Sequence, residues 1–298
     1  MRTSVVGSLM IWGTRLAWLA VAVIGGRAVG DALASRSEAV QLVGTVGAWI
    51  GWAAGALALA VPAVATLTAV RALVPGAMAV TVASLAGGAD ADDGLALGLP
   101  AAVAALLVMS AETGRPYLQA SAYGDELRFG LRPPIGYLAA CVMTWAAWTA
   151  SIIAAPLAWA ARSWLLAAAT SLVVVAGGLT LPRRWHQLSR RWLVSVPAGV
   201  VLHDPVVLAD TLMLPRRHIT AVVANELGHG TAAGAVDLTG PTPGLAVEIH
   251  LSGPTTAVLA PRPSEPRGRP VSLAALLVSP TRPGAVLREA TRRGLPVA

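Results

Sequence analysis

The sequence is poor in charge and lacks lysine altogether. Only 12% of the 298 residues are charged, all 22 basic residues are arginine, and there is one cysteine and one phenylalanine. Soluble chains carry about 25% charged residues, so this composition excludes a disordered chain and argues against a wholly soluble one. The lone Cys141 lies in an apolar run, which excludes an intramolecular disulfide and a thiolate metal cluster. We expect Cys141 to be a small buried apolar side chain and most of the chain to lie in a bilayer.

The apolar excess is confined to residues 1–181, where six apolar segments can be drawn. A helix that crosses the roughly 30 Å of hydrocarbon needs about 20 residues at about 1.5 Å per residue. The segments cover residues 5–24, 42–64, 72–86, 94–110, 135–157 and 163–179. The third and fourth are short, and a re-entrant pair is the alternative for them. The sequence therefore predicts a transmembrane bundle of about six α-helices over residues 1–181 and a second domain over residues 182–298.

Arginines concentrate on alternate loops of this plan, as expected when cationic loops stay on the cytoplasmic side of a membrane. The outer loops hold only Arg27, Arg36 and Arg162. The inner loops hold Arg2, Arg71, Arg115, Arg128, Arg132, Arg183, Arg184, Arg190 and Arg191. This bias predicts a multi-pass protein of the inner (plasma) membrane with both termini in the cytoplasm. A signal peptide cleaved at the small residues 32–34 is an alternative interpretation of the N-terminus.

The second segment carries glycines at a spacing of four residues. Gly47, Gly51 and Gly55 form a tandem small-xxx-small pattern, which places all three on one helix face and lets another helix backbone approach closely. We expect this face to pack on a neighbouring helix of the same chain. Homodimerisation through the same face is the alternative.

A cation interrupts the first segment. Arg15 near the middle of a membrane would cost about 2.5–3.5 kcal/mol on insertion scales, and such a residue is a functional-site candidate by default. The alternative is that its long stem lets the guanidinium reach the membrane surface. No acidic residue lies in any apolar segment to pair with it, which argues against proton-coupled or ion-coupled transport.

Two charged stretches border the last two segments. Residues 111–134 mix acids and arginines with the Pro133-Pro134 pair, which predicts a solvated connector with room for one short helix; a partner-docking element is the alternative. An arginine near an anionic leaflet contributes about 1 kcal/mol of attraction, and tryptophan favours the headgroup level. The stretch after the sixth segment therefore predicts a membrane-surface hinge that contacts anionic lipid through Arg183, Arg184, Trp185, Arg190, Arg191 and Trp192.

Beyond residue 191 the pattern changes from helical to alternating. Strand-like runs occupy residues 192–196, 200–203, 211–214, 219–225, 235–238, 245–251, 256–259 and 271–278, with glycine and proline clusters between them. A proline at a first helical position, an apolar stripe and terminal arginines predict a helix over residues 283–293. The predicted fold of this part is a small all-β barrel or sandwich with one closing helix.

This element order resembles the bacterial pleckstrin-homology-like domain over roughly Arg191 to Arg293. The apolar half looks like the actinobacterial polytopic membrane proteins of unknown function that carry such tails. The resemblance implies two nearly orthogonal sheets with the helix plugging one end, used for scaffolding or oligomerisation more often than for catalysis. Lipid-binding members of the wider family use basic residues in the first loop between strands, whereas that loop is here the short, uncharged Pro197-Ala198-Gly199.

The catalytic and metal-binding patterns in the chain are incomplete. Residues 225–229 hold one glutamate and His229 but lack the two histidines four apart of a metalloprotease helix. Residues 90–94 begin like a calcium loop, but Ala101 stands where a bidentate glutamate is needed. The sequence predicts no enzyme, no cofactor, no metal and no nucleic-acid partner. We expect a non-enzymatic membrane protein that presents its C-terminal domain to a protein partner or to a second copy, with a transporter or channel subunit as the alternative.

Overall fold

The computed structural model describes residues 5–226, 232, 234–261 and 265–298, and the chain divides into two units. The helical unit comprises Met1–Tyr117 and Ala140–Trp185, and the β unit comprises Leu118–Ala139 and His186–Ala298. Arg2, and the 227–231 stretch with His229, lie outside the described residues. The division differs from the predicted boundary at residue 181, because residues 118–139 belong with the C-terminal part of the chain.

Eight helices precede the C-terminal strands among the described residues. They are α1 Val5–Ala34, α2 Glu38–Ala60, α3 Val64–Leu73, α4 Gly76–Ala86, α5 Ala91–Met109, α6 Ala111–Gln119, α7 Ile135–Ala160 and α8 Trp164–Ser189. A kink site separates α3 from α4, because Pro75 has no backbone N–H to continue the helical hydrogen bonds. The helix α8 runs ten residues past the predicted end at 179, through Pro182 and the first arginines of the predicted hinge.

Six helical stretches of the described residues are long and apolar enough to cross a membrane. They are Val6–Ala34, Glu38–Ala60, Val64–Ala86, Ala91–Met109, Ile135–Ala160 and Trp164–Ser189. By length and composition this confirms the predicted number and indicates a multi-pass membrane protein. The third stretch has 23 residues, where the sequence suggested only 72–86, because α3 adds one further helical section before Pro75.

The first helix lies at the centre of the packing in the helical unit, where it contacts α2, α4 and α5. A Cβ atom added at Gly13 would meet Leu107 at 3.4 Å, and one added at Gly25 would meet Leu97 at 2.5 Å, so α1 and α5 run antiparallel. The helices α1 and α2 are joined by a reciprocal pair of hydrogen bonds. The indole nitrogen of Trp18 donates to the Trp52 carbonyl at 3.1 Å, and that of Trp52 donates to the Trp18 carbonyl at 2.9 Å.

The strands of the β unit form two four-stranded sheets among the described residues. The first sheet has the order β1-β2-β3-β4 and the second the order β5-β7-β8-β6. The strand bounds are β1 Leu127–Gly130, β2 Trp192–Val196, β3 Gly199–His203, β4 Leu212–Pro215, β5 Ile219–Glu226, β6 Ala235–Asp237, β7 Leu245–Leu259 and β8 Arg269–Val278. Neighbouring strands are antiparallel except for β6, which pairs parallel to β8.

The two sheets and the final helix share one apolar core. Successive side chains of a strand point to opposite faces of the sheet, so every second side chain points into the core. The helix α9 Pro283–Arg292 adds Val286 and Ala290 from its apolar stripe. The predicted runs 245–251 and 256–259 are one strand, β7, with an irregularity in its pairing between His250 and Thr255. The most deeply buried core residues include Leu193, Leu202, Leu214, Leu238, Ile249, Leu273, Leu276 and Val278.

The strand β1 corrects the prediction of a solvated connector over residues 111–134. It pairs antiparallel with β2, with Phe129 opposite Leu193, and Phe129 and Leu131 are buried in the core of the β unit. Further backbone hydrogen bonds hold the same segment: the Leu131 amide donates to the Arg191 carbonyl at 3.0 Å, and the Thr281 amide donates to the Gly130 carbonyl at 2.8 Å. The β unit is therefore built from two separate stretches of sequence, one of them inserted between α6 and α7.

Candidate functional sites

The three glycines of α2 have different surroundings. A Cβ added at Gly55 would lie 2.5 Å from the Trp18 ring of α1, whereas Gly47 and Gly51 have no atom within 4 Å of such a Cβ. Gly55 thus lies at the α1–α2 contact, because only a residue without a side chain leaves room for the indole. The face with Gly47 and Gly51 is uncovered by the described residues of the chain.

Arg15 lies near one end of the helical bundle, away from its middle. It is two residues further along α1 than Gly13, which faces Leu107, and α5 ends two residues beyond Leu107. At about 1.5 Å per residue, Arg15 is about 6 Å from the level at which α5 ends. Arg15 therefore lies closer to the ends of α2 and α5 than to their middles, and its functional role stays a prediction.

The partners of Arg15 are a helix end and an aromatic ring. Its Nη2 donates to the Leu59 carbonyl at 3.0 Å, one residue before α2 ends, and its guanidinium lies 5.2 Å from the centre of the Trp12 ring. The last carbonyls of a helix lack intrahelical donors and carry partial negative charge, so a cation there is favourable. Tyr117 Oη lies 3.5 Å from the same carbonyl, and burial raises the pKa of Tyr117 against the opposing effect of Arg15.

The six residues of the predicted membrane-surface hinge lie in different environments. Arg183 and Arg184 are exposed on α8, where Trp185 packs edge-on against Trp148 with ring centres 5.4 Å apart. Arg190 is exposed. Trp192 begins β2 and is half-buried: its ring stacks on His203 at 5.2 Å, and the Arg128 guanidinium lies 5.0 Å above it.

Arg191 does not lie on a surface, which corrects its assignment to the lipid-contacting group. Its side chain is fully buried in the β unit and forms a bidentate pair with the buried Asp204: Nε to Oδ1 at 2.8 Å and Nη2 to Oδ2 at 2.7 Å. The guanidinium also donates to the carbonyls of Arg132 at 2.5 Å and Thr239 at 3.4 Å. The Asp204 carboxylate further accepts the Val206 amide at 3.1 Å. One ion pair thus joins β2, the loop after β3, the inserted segment and the loop after β6.

The histidine beside this pair faces outward. His203 Nδ1 lies 2.9 Å from Thr211 Oγ1, and Arg190 Nη2 lies 3.4 Å from His203 Nε2. Burial, followed by the charge of Arg190, lowers the pKa of His203 below its ordinary value, while Asp204 acts in the opposite direction. These effects favour the neutral form of His203, whose ring stacks on Trp192.

A groove on the β unit combines prolines with arginines. It has a volume of about 560 Å³, and Arg216 and Arg217 are exposed at its wall. The Arg216 Nη2 donates to the Gly294 carbonyl at 3.3 Å, and Gly294 has the positive φ of +67° that ends α9. Leu295 is buried in the core and the Pro296 carbonyl accepts the Val222 amide at 2.8 Å, so this wall is anchored. The lining residues are Pro197, Ala198, Pro215, Arg216, Arg217, Ile219, Gly294, Leu295 and Pro296.

No protein-family model, curated protein or solved structure matches this chain. Within the described ranges no group of three or more His, Cys, Asp or Glu side chains is placed to hold a metal ion. The predicted site residues are not brought together: Arg15 and Gly55 lie in the helical unit, while Arg190, Arg191 and Trp192 lie in the β unit.

Sequence reasoning missed the groove and the inserted strand. The groove joins residues about 100 positions apart along the chain, so no local pattern marks it. The strand β1 did have a signal, since Leu127, Phe129 and Leu131 alternate with Arg128 and Gly130 as in a half-buried strand.

Proposed function

We propose that this protein is a non-enzymatic multi-pass protein of the inner (plasma) membrane whose β unit binds an acidic segment of a protein partner in the cytoplasm. The observation that carries the proposal is the groove with Arg216 and Arg217 on a unit that has its own apolar core. The two stretches of the β unit, residues 118–139 and 186–298, together hold 13 arginines and 9 acids, a charge of +4, which favours an acidic partner over a second copy of the same basic unit.

A pleckstrin-homology-like fold is part of this proposal. Two sheets and the closing helix α9 support it. The β unit departs from the expected pattern in two ways, because β1 comes from a segment between membrane helices and β6 pairs parallel to β8. Both departures enlarge the sheets without changing the element order over residues 192–292.

The arginine bias supports a cytoplasmic location of the β unit and of both termini. Protease added to inverted membrane vesicles should remove the β unit, and protease added to right-side-out vesicles should leave it intact. The same digestion after detergent permeabilisation is the control for access. Digestion of the β unit in intact right-side-out vesicles would contradict the orientation.

Partner binding is tested with a fluorescent 12-residue peptide rich in glutamate and the purified full chain in mild detergent. Binding should weaken at least about tenfold in the double variant Arg216→Glu, Arg217→Glu, because charge-assisted hydrogen bonds are lost and repulsion is added. It should also weaken as salt rises from 0.05 to about 0.5 M, since exposed charges are screened.

The matched control is Arg267→Glu, at another exposed arginine of the β unit. It should leave the peptide affinity within about twofold, apart from the small effect of net charge. If both variants weakened binding equally, the attraction would depend on the overall charge of the protein, and the groove would not be the binding site. If the wild-type protein did not bind the peptide and formed a stable homo-oligomer, the result would favour self-association as the function of the β unit.

A further inference from the structure

A second cation of the helical unit has a buried nitrogen without a hydrogen-bond partner among the described residues. Arg71 lies in the last turn of α3 and is half-buried. Its Nε is shielded from solvent and lacks a hydrogen-bond partner in the described part of the chain. Partial burial of a charge without a counter-charge is costly, so an anion from outside the chain would stabilise Arg71.

The helix α6 packs closely against the Arg71 guanidinium at Gly114. A Cβ added at Gly114 would lie 2.9 Å from Arg71 Nη2, which leaves no room for a larger residue in this geometry. Residues three apart share one side of a helix, so Gly114 and Tyr117 face the same way. Tyr117 reaches towards the Leu59 carbonyl that Arg15 also binds. Arg71 and the Leu59 carbonyl that Arg15 binds therefore lie on the same side of α6.

This side of α6 lies at one end of the bundle. The helix α6 begins two residues after α5 ends at Met109, and Leu59 is the second-last residue of α2. In a membrane-inserted bundle, a site at the helix ends is at the level of the lipid headgroups. The anion that is abundant at this level is a phosphate diester, and arginine binds phosphate through its planar fork of donors.

We propose that Arg71, assisted by Arg15, binds the phosphate of an anionic phospholipid at this end of the helical bundle. This inference rests on the proposed insertion of the helical unit in a membrane. The chemistry recognised is a phosphate oxyanion, and the lipid supplies it because acyl chains hold the headgroup beside the apolar helices. The exposed Arg183, Arg184 and Arg190 are not needed for this site.

The test measures the phosphatidylglycerol that remains with the protein. The full chain is purified from mixed phosphatidylcholine and phosphatidylglycerol micelles, and the retained lipid is counted per protein by mass spectrometry. The wild type should retain phosphatidylglycerol selectively, and Arg71→Gln should reduce that retention about tenfold. Arg15→Gln should have a smaller effect, since Arg15 already binds a carbonyl.

Arg27→Gln is the matched control, because Arg27 is an exposed arginine of α1 towards its other end. It should retain the lipid as the wild type does. A second variant, Arg71→Lys, keeps the positive charge but loses the planar set of guanidinium donors, so it should retain an intermediate amount of phosphatidylglycerol. If Arg71→Gln does not fold, the result for Arg71→Lys tests the lipid site. Washing with 50 mM inorganic phosphate should leave the lipid bound.

Three outcomes would overturn the inference: undiminished retention in Arg71→Gln, equal loss in Arg27→Gln, and displacement of the lipid by inorganic phosphate. The last would show a site for free phosphate. A protein that passes the vesicle digestion test but fails here would lose only the lipid site, so the two failures can be distinguished.

Discussion

Replacing Arg191 with methionine should destabilise the β unit by about 3–5 kcal/mol, because Asp204 would be left as a buried charge without its counter-ion. Both side chains of the pair are fully buried, and the two hydrogen bonds between them measure 2.8 and 2.7 Å. The same guanidinium also donates to carbonyls of the inserted segment and of the loop after β6. Loss of Arg191 would therefore loosen several parts of the β unit together.

Hydrogen exchange of the β2 and β3 amides in the intact protein measures this loss. A loss of about 3–5 kcal/mol corresponds to exchange faster by roughly a hundredfold to several thousandfold where global opening of the unit controls it. Arg190→Met is the control, since Arg190 is the exposed neighbour and should change the exchange rate by less than about threefold.

A double variant tests whether the instability comes from the unpaired charge of Asp204 or from the loss of the ion pair itself. The double substitution Arg191→Met, Asp204→Leu removes both charges and should recover a large part of the lost stability, because a well-packed apolar pair avoids the desolvation cost. Unchanged exchange in Arg191→Met would mean that the pair is solvated and would contradict its burial.

Replacing Phe129 with alanine should destabilise the β unit by about 3–5 kcal/mol, although Phe129 is 57 residues before the second stretch of that unit, which begins at His186. Its side chain is buried in the core, where β1 pairs with β2, so the substitution leaves a cavity. Exchange of the β2 and β8 amides should accelerate by at least about a hundredfold.

The control for this prediction is Tyr123→Ala in the same inserted segment. Tyr123 is 90% exposed, so its removal should change stability by less than about 0.5 kcal/mol. If Phe129→Ala altered exchange in α7 while the strands of the β unit kept their protection, β1 would belong to the membrane part after all.

The predicted spans came close to the helices because apolar length is a local property of the sequence. The third segment was the exception: Arg71 and the threonines of α3 lower its hydropathy, and the helix nevertheless continues from Val64 to Leu73. The strands from 192 to 278 were also close to their predicted positions, since alternation is equally local. The partner of β1 could not be predicted, because a four-residue strand gives no signal that identifies a strand so distant in sequence.

The arginine stretch shows the same limit at the scale of single residues. Arg190 and Arg191 are neighbours of identical type, so composition assigned both to the membrane surface. Arg190 lies in the turn after α8 and is exposed, whereas Arg191, immediately before β2, is buried in the β unit. Only the position of Asp204 in the folded unit makes the buried arginine tolerable.

The sequence by itself determined the class of this protein: low charge and six apolar segments indicate a multi-pass membrane protein, and alternation beyond residue 191 indicates a β part with a closing helix. Only the tertiary structure decided which charges are buried, which arginine nitrogen has no hydrogen-bond partner among the described residues, and that residues 118–139 complete the β unit. The physical reason is that apolar length and periodicity act over neighbouring residues, whereas ion pairs, strand pairing and grooves depend on contacts between distant parts of the chain.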